Sequence, residues 1–256
     1  MACLARAEEI LAAKASQIAA VIIEPLVQGA AGILTMPKGF LKGLREITLK
    51  HDILLITDEV ATGFGRTGTM FACEQESVIP DLLCLAKGIT GGYLPLAATA
   101  CTQTIYEAFL GEYDEFKAFF HGHSYTANPL ACACALECLN LFDADNTLEN
   151  LAPQIEMLAE WLKKVQALPH VGDARGRGVM AGVELVSDKV TKKPYPPSER
   201  IGYRVTLAAR EKGVWLRPLG DTIVIMPPLS ITRDEMHLLL QTAEEAITSV
   251  TESSGS

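Results

Sequence analysis

At 256 residues, 49% of them hydrophobic, the chain carries enough apolar side chains for a sizeable core in one large or two smaller domains. A net charge of −9 excludes broad electrostatic attraction to nucleic acid or to an anionic membrane surface, both of which require basic faces. The longest apolar runs, such as IAAVII and LPLAATAC, fall well short of the ~20 residues that span a bilayer.

The opening MACLARAEEILAAKASQ lacks the apolar centre of a signal peptide, and residues 4–17 read as a helix. AAVIIEP (19–25) reads as a buried strand stopped by Pro25. In PKGFLKGLREITLKHD, Phe40, Leu41, Leu44 and Ile47 fall on one helical face, with Pro37 near the start. ILLITDEV (53–60) and PDLLCLAK (80–87) read as second and third strands, and LAATACT as a further short one. The intervals from Glu24 to Asp58 and from Asp58 to Lys87 are each close to one strand–helix–strand unit of roughly 30 residues. That spacing predicts a mostly parallel sheet.

From NPLACACALECLNLF onward the pattern turns helical, and Leu151, Ile155, Leu158, Leu162 and Val165 repeat at helix spacing. VMAGVELV and TIVIMPPL read as strands separated by a polar loop at 188–198, and a last helix, 232–249, opens at a Thr232–Glu235 capping box. The expectation is an α/β protein: a parallel-sheet domain in residues 1–145, a smaller α+β domain in 146–250, and a disordered tail at 251–256. Seven cysteines, an odd number set in predicted core segments, read as buried thiols of a reducing compartment, and so of a cytoplasmic chain. Cys132, Cys134 and Cys138 have no second cysteine pair or spaced histidine pair to complete a metal set; they read as small helical core residues, and no metal is expected.

Glu24, Asp58 and Lys87 stand at three successive strand ends, and ligands of parallel sheets bind outside the carboxyl ends of the strands. A single strand-end charge is ordinarily a cap or a solvated loop residue. Three together can face one crevice, where a carboxylate tunes the charge of a ligand or of a lysine. One chemistry that needs this set is a Schiff base with pyridoxal phosphate: the lysine amine condenses with the aldehyde, and the aspartate keeps the pyridine nitrogen protonated. Once displaced by substrate, the same lysine can act as the base. Glycines 88, 91 and 92 would let the chain turn tightly after Lys87. GITGG matches neither the G-x-G-x-x-G fingerprint nor a lysine-terminated phosphate loop.

The D-E-x-x-T-G-F-G-R-T-G block at 58–68 and C-L-A-K-G-I-T-G-G at 84–92 are highly specific. With IEPLVQGAAGI (23–33), HGHSYTANPLACACA (121–135) and WLRPLGDTIVIMPPLSIT (215–232), the chain resembles the class III pyridoxal-phosphate aminotransferases, in particular their biotin-pathway branch, over nearly its whole length. The resemblance implies fold type I of the pyridoxal-phosphate-dependent transferases, with part of the large domain followed by the C-terminal small domain. It also implies a homodimer that moves an amino group from S-adenosylmethionine, or lysine, to 8-amino-7-oxononanoate, giving 7,8-diaminononanoate. Carried over residue by residue, Lys87 would bear the cofactor, Asp58 would hold its pyridine nitrogen, and Glu24 would belong to the Glu-Pro segment beside it. Ser124, with neighbouring backbone at Gly122, would bind the cofactor phosphate across the dimer interface, Gly122 would also meet substrate, and Arg217 would grip the acceptor's carboxylate.

Arg66 reads as a loop support, the resemblance makes His121 and His123 active-site wall or packing residues, and Tyr93, Tyr106 and Tyr125 read as either pocket or core. Longer members place a Gly/Ser-rich phosphate loop and a ring-stacking aromatic residue ahead of the region matched here. The resemblance therefore implies the C-terminal portion of such an enzyme, with a more weakly held cofactor. Two alternatives stay open: another ω-aminotransferase of the ornithine, γ-aminobutyrate or β-alanine type, and a non-catalytic fragment that needs a separate N-terminal chain.

Overall fold

The structure is a computed structural model and describes residues 2–252. In chain order the elements are α1 (Ala2–Lys14), β1 (Ala20–Ile23), β2 (Val27–Gln28), β3 (Leu34–Thr35), α2 (Phe40–Lys50), β4 (Leu54–Asp58), β5 (Leu82–Leu85) and β6 (Ala98–Cys101). They continue with α3 (Gln103–Glu107), α4 (Pro129–Ala144), α5 (Thr147–Val165), β7 (Val171–Arg177), β8 (Met180–Leu185), α6 (Ile201–Glu211), β9 (Arg217–Leu219), β10 (Thr222–Ile225) and α7 (Arg233–Glu252). Two compact units result: residues 2–26, 36–64 and 69–145 form one, and 27–35, 65–68 and 146–252 the other.

In the first unit β1, β4 and β5 are parallel neighbours, and β6 lies antiparallel at the edge beside β5. The spacing of the strands predicts the parallel part. It misses the reversal at β6, where residues 86–97 contain a turn but no crossover helix, so the chain returns alongside the strand it has just left. One face of the sheet packs on α1 and α2 through Leu4, Leu11, Leu41, Leu44, Ile47 and Leu55. Each such fully buried side chain contributes roughly 1.5–3 kcal/mol. A buried strand is the expectation for AAVIIEP; instead Ile22 is 64% exposed, as Leu54 of β4 is 38% exposed, because helices cover one face only among the described residues. The N-terminal amides of α2 are capped from a distance: Gly39 N–H and Lys42 N–H donate to the Glu76 carboxylate at 2.6 and 2.9 Å.

Arg45 on α2 forks onto Asp81 at 2.6 and 3.0 Å, and Leu55 N–H of β4 donates to the same carboxylate at 2.7 Å. Burial pushes the Asp81 carboxyl up, but the Arg45 and Leu55 hydrogen bonds outweigh it and leave it below the ordinary value. A depressed carboxyl stabilises the fold above its unfolded pKa of about 4 and loses that contribution as pH falls through the folded value. Asp81→Asn is therefore expected to cost about 2–3 kcal/mol at pH 7, with the gap to wild type closing as urea titrations are repeated from pH 5 down to pH 3. A gap that stays constant with pH would contradict this linkage.

In the second unit β7, β8, β10 and β9 form an antiparallel sheet in that order. Helices α5, α6 and α7 cover one face, and Leu151, Leu158, Val165, Val183, Ile223, Met236 and Ile247 fill the space between. Helix α7 begins at the expected box, where Thr232 N–H donates to Glu235 Oε2 at 2.8 Å and Glu235 N–H donates to Thr232 Oγ1 at 3.3 Å. The helix runs on to Glu252 with Thr251 buried, so residues 251 and 252 of the expected tail are helical; residues 253–256 lie outside the described residues. Two segments of the expected first domain, 27–35 and 65–68, join this unit because its own sheet holds them. Arg175 donates to the Gly32 and Ile33 carbonyls at 2.7 and 3.0 Å, and Val179 N–H donates to Arg66 O at 2.9 Å. At Gly178, with φ +60°, a Cβ would stand 2.4 Å from Arg66 O, so only glycine allows that approach.

The cysteines correct a further expectation. Cys73 alone is buried; Cys3 and Cys101 are exposed, and Cys132, Cys134 and Cys138 are half-buried on α4. The periodicity of a helix places side chains on a face without saying how deeply that face is covered.

Candidate active site

Parallel pairing brings three carboxyl ends to one edge of the sheet. Ile23 pairs with Thr57, and Asp58 pairs with Cys84. Glu24 follows β1 directly, Asp58 closes β4, and Lys87 stands two residues beyond β5. Lys87 opens a tight turn, Lys87–Thr90, with φ +48°, a left-handed backbone that costs a long side chain roughly 1–2 kcal/mol. The sequence assigned the tight turn to the glycines; the strained residue is the lysine itself. Gly88 serves by close approach, since a Cβ there would stand 2.8 Å from the Phe64 Cβ, while Gly91 closes the turn with φ +60°.

Lys87 is exposed, and no described acidic side chain pairs with its ammonium. Asp58 is half-buried; its Oδ1 accepts from Val60 N–H at 3.0 Å, and no described group bonds its Oδ2. Strain is retained where the surrounding structure over-determines it, and such places gather at reactive sites.

Glu59, the next residue, is the one the sequence reading passed over. Side chains alternate along a strand, so Glu59 turns to the opposite face from Asp58, and it is fully buried. Its carboxylate accepts from the Thr62 hydroxyl at 2.6 Å, Ala72 N–H at 3.0 Å and Cys73 N–H at 2.8 Å. Burial, joined by the charge of Glu59, pushes the Cys73 thiol up to about 12. Glu59 thus ties both ends of the 60–72 loop to the strand that ends at Asp58. An acidic residue beside an apolar strand, with Thr62 a helical turn onward, was the available signal.

The remaining candidates are less gathered. Gly122 and Ser124 lie in an exposed loop ordered by its own bonds, with His123 N–H donating to Thr126 Oγ1 at 2.9 Å and Tyr125 N–H to His123 Nδ1 at 3.1 Å. No described contact ties Gly122 or Ser124 to the three strand ends. Tyr93, Tyr106 and Tyr125 are all exposed, which removes the core option for them. No group of three metal-ligating side chains occurs among the described residues.

In the second unit, Arg217 opens β9, paired with Val224 and exposed, with no described acidic partner. Arg175 is the opposite case: besides the two carbonyls, it pairs with Asp173 at 2.8 Å and Glu184 at 2.6 Å, so its fork is spent on structure. Arg66 donates to the Pro227 carbonyl, and burial lowers its pKa; it supports its loop as expected.

The family model for class III aminotransferases matches residues 1–247. The chain belongs to the class III aminotransferases. It is 58% identical over 252 residues to the adenosylmethionine-8-amino-7-oxononanoate aminotransferase of Nitratidesulfovibrio vulgaris, covering 98% of this chain and 46% of that protein. It is 55% identical over 251 residues to the protein of the same name from Geobacter sulfurreducens, covering 98% of this chain and 55% of the relative. The chain thus spans about half the length of the curated relatives it matches. Among solved structures, the adenosylmethionine-8-amino-7-oxononanoate aminotransferase of Methanocaldococcus jannaschii superposes with a TM-score of 0.95 at 47% identity, over 97% of this chain and 58% of that one.

Class III aminotransferases depend on pyridoxal phosphate, and the donor set at the sheet edge fits that group. An amine without a counter-ion can bond an aldehyde, and a half-buried carboxylate with one uncommitted oxygen can hold a protonated pyridine nitrogen. The α/β fold, with its mixed but mostly parallel sheet followed by an antiparallel α+β unit, is that of a partial fold type I transferase.

Proposed function

We propose that the chain is the site-bearing portion of a transaminase that passes an amino group from S-adenosylmethionine, or from lysine, to 8-amino-7-oxononanoate, giving 7,8-diaminononanoate. The observation that carries this reading is the placement of Lys87 and Asp58 on neighbouring parallel strand ends, one with an unpaired amine and the other with an uncommitted oxygen. The names of the relatives support the choice of acceptor and donor.

Bound pyridoxal phosphate supplies an electron sink for the pair left when a substrate Cα–H bond breaks. Lys87 Nζ would hold the cofactor and, once free of it, could move the Cα proton. Asp58 Oδ2 would hold a proton at the pyridine nitrogen, and Glu24 would shape the wall beside it. Ser124 and the Gly122 backbone would bind the cofactor phosphate across the dimer interface, and Gly122 would also meet substrate. Arg217 orients the acceptor by its carboxylate, for which a planar fork is suited. The kinetics are ping-pong, because donor and acceptor use one site in turn. The working form is a cytoplasmic homodimer acting on small molecules, with no nucleic-acid or membrane partner. No helix among the described residues is long and apolar enough to cross a membrane.

The test is covalent. The purified chain is mixed with pyridoxal phosphate, reduced with borohydride and digested, and the label is expected on Lys87; a label spread over other lysines, or none, counts against the reading. Arg217→Ala should raise the KM for the amino-oxononanoate roughly 10–100-fold, as loss of a charged hydrogen-bonding fork does, and leave the donor half-reaction unchanged. Equal effects on both halves would remove Arg217 from the acceptor's carboxylate.

A further inference from the structure

Two thiols of α4 reach the turn that carries Lys87. Cys134 and Cys138 are four residues apart and so share one face of the helix. Cys134 Sγ donates to Thr90 O at 3.5 Å, and Cys138 Sγ donates to Gly88 O at 3.4 Å. Both carbonyls already accept one backbone bond, from Tyr93 N–H at 3.2 Å and from Gly91 N–H at 3.0 Å, and a carbonyl has a second lone pair to offer. A small hydrogen-bonding side chain inside a helix ordinarily bonds back to a carbonyl of the preceding turn. Here both thiols point outward instead, onto the same four-residue turn.

That turn needs holding. Lys87 stands at φ +48°, outside the wells its side chain favours. Ile89, packed with Ala135 and Phe64, anchors the apolar side of the turn, and Thr90 Oγ1 donates to Leu94 O at 2.6 Å. The two Sγ atoms supply what apolar packing cannot, a direction for the Gly88 and Thr90 carbonyls and hence for the peptide planes that follow the lysine. Burial, then the neighbouring Cys134, pushes the Cys138 thiol above its usual value, the direction that favours the donor form.

We propose that Cys134 and Cys138 are positioning residues for Lys87: a pair of S–H···O=C bonds from one helix face clamps the Lys87–Thr90 turn in its left-handed start. This rests on the reading of Lys87 as the cofactor-bearing residue, but the clamp can be tested apart from it. Cys134 is one residue from the buried Ala135 and Cys138 is only half-buried, so alanine and serine, nearly equal in size and different in donor, separate hydrogen bonding from packing.

The experiment is amide exchange by mass spectrometry on the cofactor-free chain, comparing wild type, Cys134→Ala/Cys138→Ala and Cys134→Ser/Cys138→Ser, with Cys138→Ala alone as the milder variant. The segment 86–94 should exchange about 10-fold faster in the alanine variants and return toward wild type in the serine pair, while 41–50 of α2 is unchanged. The second readout is release of pyridoxal phosphate on dilution of the loaded chain, expected to be about 10-fold faster in the alanine pair and restored by serine. Equal exchange in the alanine and serine pairs, or exchange raised across the whole unit, overturns the clamp. Exchange that follows the donor while wild type traps no cofactor on Lys87 upholds the clamp and overturns the reading of Lys87.

Discussion

Lys87→Gly is expected to abolish borohydride-fixed pyridoxal phosphate and slow the first half-reaction about 10²–10⁴-fold, the range a lost general base commands, while making the fold more stable. The second half of that expectation separates it from an ordinary loss-of-function substitution. Lysine at φ +48° bears a left-handed backbone, and glycine adopts that region without steric penalty. Relief of roughly 1 kcal/mol in the folded state is partly offset by the greater freedom glycine gives the unfolded chain. A net gain of about 0.5 kcal/mol in urea unfolding is the result to look for. Lys87→Arg tests the charge: it keeps a cation and loses the nucleophilic amine, because guanidinium does not deprotonate in a protein. It should trap nothing, like the glycine variant, and gain no stability. If Lys87→Gly proves less stable than wild type by 1 kcal/mol or more, the strain argument fails; if it still fixes cofactor on another lysine, the catalytic argument fails. A residue that is costly to the fold and required by the reaction is the exchange expected of a built site.

Much of this was legible in the sequence, for physical reasons that can be named. Asp58 and Lys87 were readable because the apolar runs at 53–60 and 80–87 end abruptly in charge, and the interval between them fits one crossover. The start of α7 was readable because its cap is written within four residues, Thr232 to Glu235. Other features depend on contacts between distant segments. β7 does not alternate cleanly in VGDARGR, since Arg175 is recruited to clamp the 27–35 hairpin, whose Ile33 carbonyl lies 142 residues earlier in the chain. The capping of α2 by Glu76 is likewise non-local. At the site, left-handed φ at Lys87 has no sequence mark, because glycine is the usual occupant and the sequence shows lysine. Gly122 and Ser124 rested on resemblance alone, and their loop is ordered by contacts within itself.

Glu59→Ala is expected to be the most destabilising single change near the site, by about 3–5 kcal/mol, the cost of removing one partner from a buried charged network. The carboxylate is fully buried and holds three donors: the Thr62 hydroxyl, Ala72 N–H and Cys73 N–H. Alanine leaves two buried amides and a hydroxyl without partners, and each such group forfeits about 1–3 kcal/mol. Glu59→Gln is the sharper probe. It keeps the shape but puts an amide NH2 where one oxygen stood, and since Oε1 faces Cys73 N–H while Oε2 faces both Thr62 and Ala72 N–H, either flip sets donor against donor. Thr62 can rotate its hydroxyl to adapt; the backbone amides cannot. Glutamine should therefore recover part of the stability and not all of it, ordering wild type above Gln above Ala in urea midpoint. Asp58 follows from the same geometry, because it shares a peptide bond with Glu59 and its Oδ1 is held by Val60 N–H. Loosening the 60–72 loop frees that bond, so cofactor affinity should fall with stability across the series even though Glu59 faces away from the sheet edge. A Glu59→Gln chain that matches wild type in urea would mean the loop is held by its apolar contacts, Phe64 against Phe71 above all, and that the carboxylate merely occupies the space they leave.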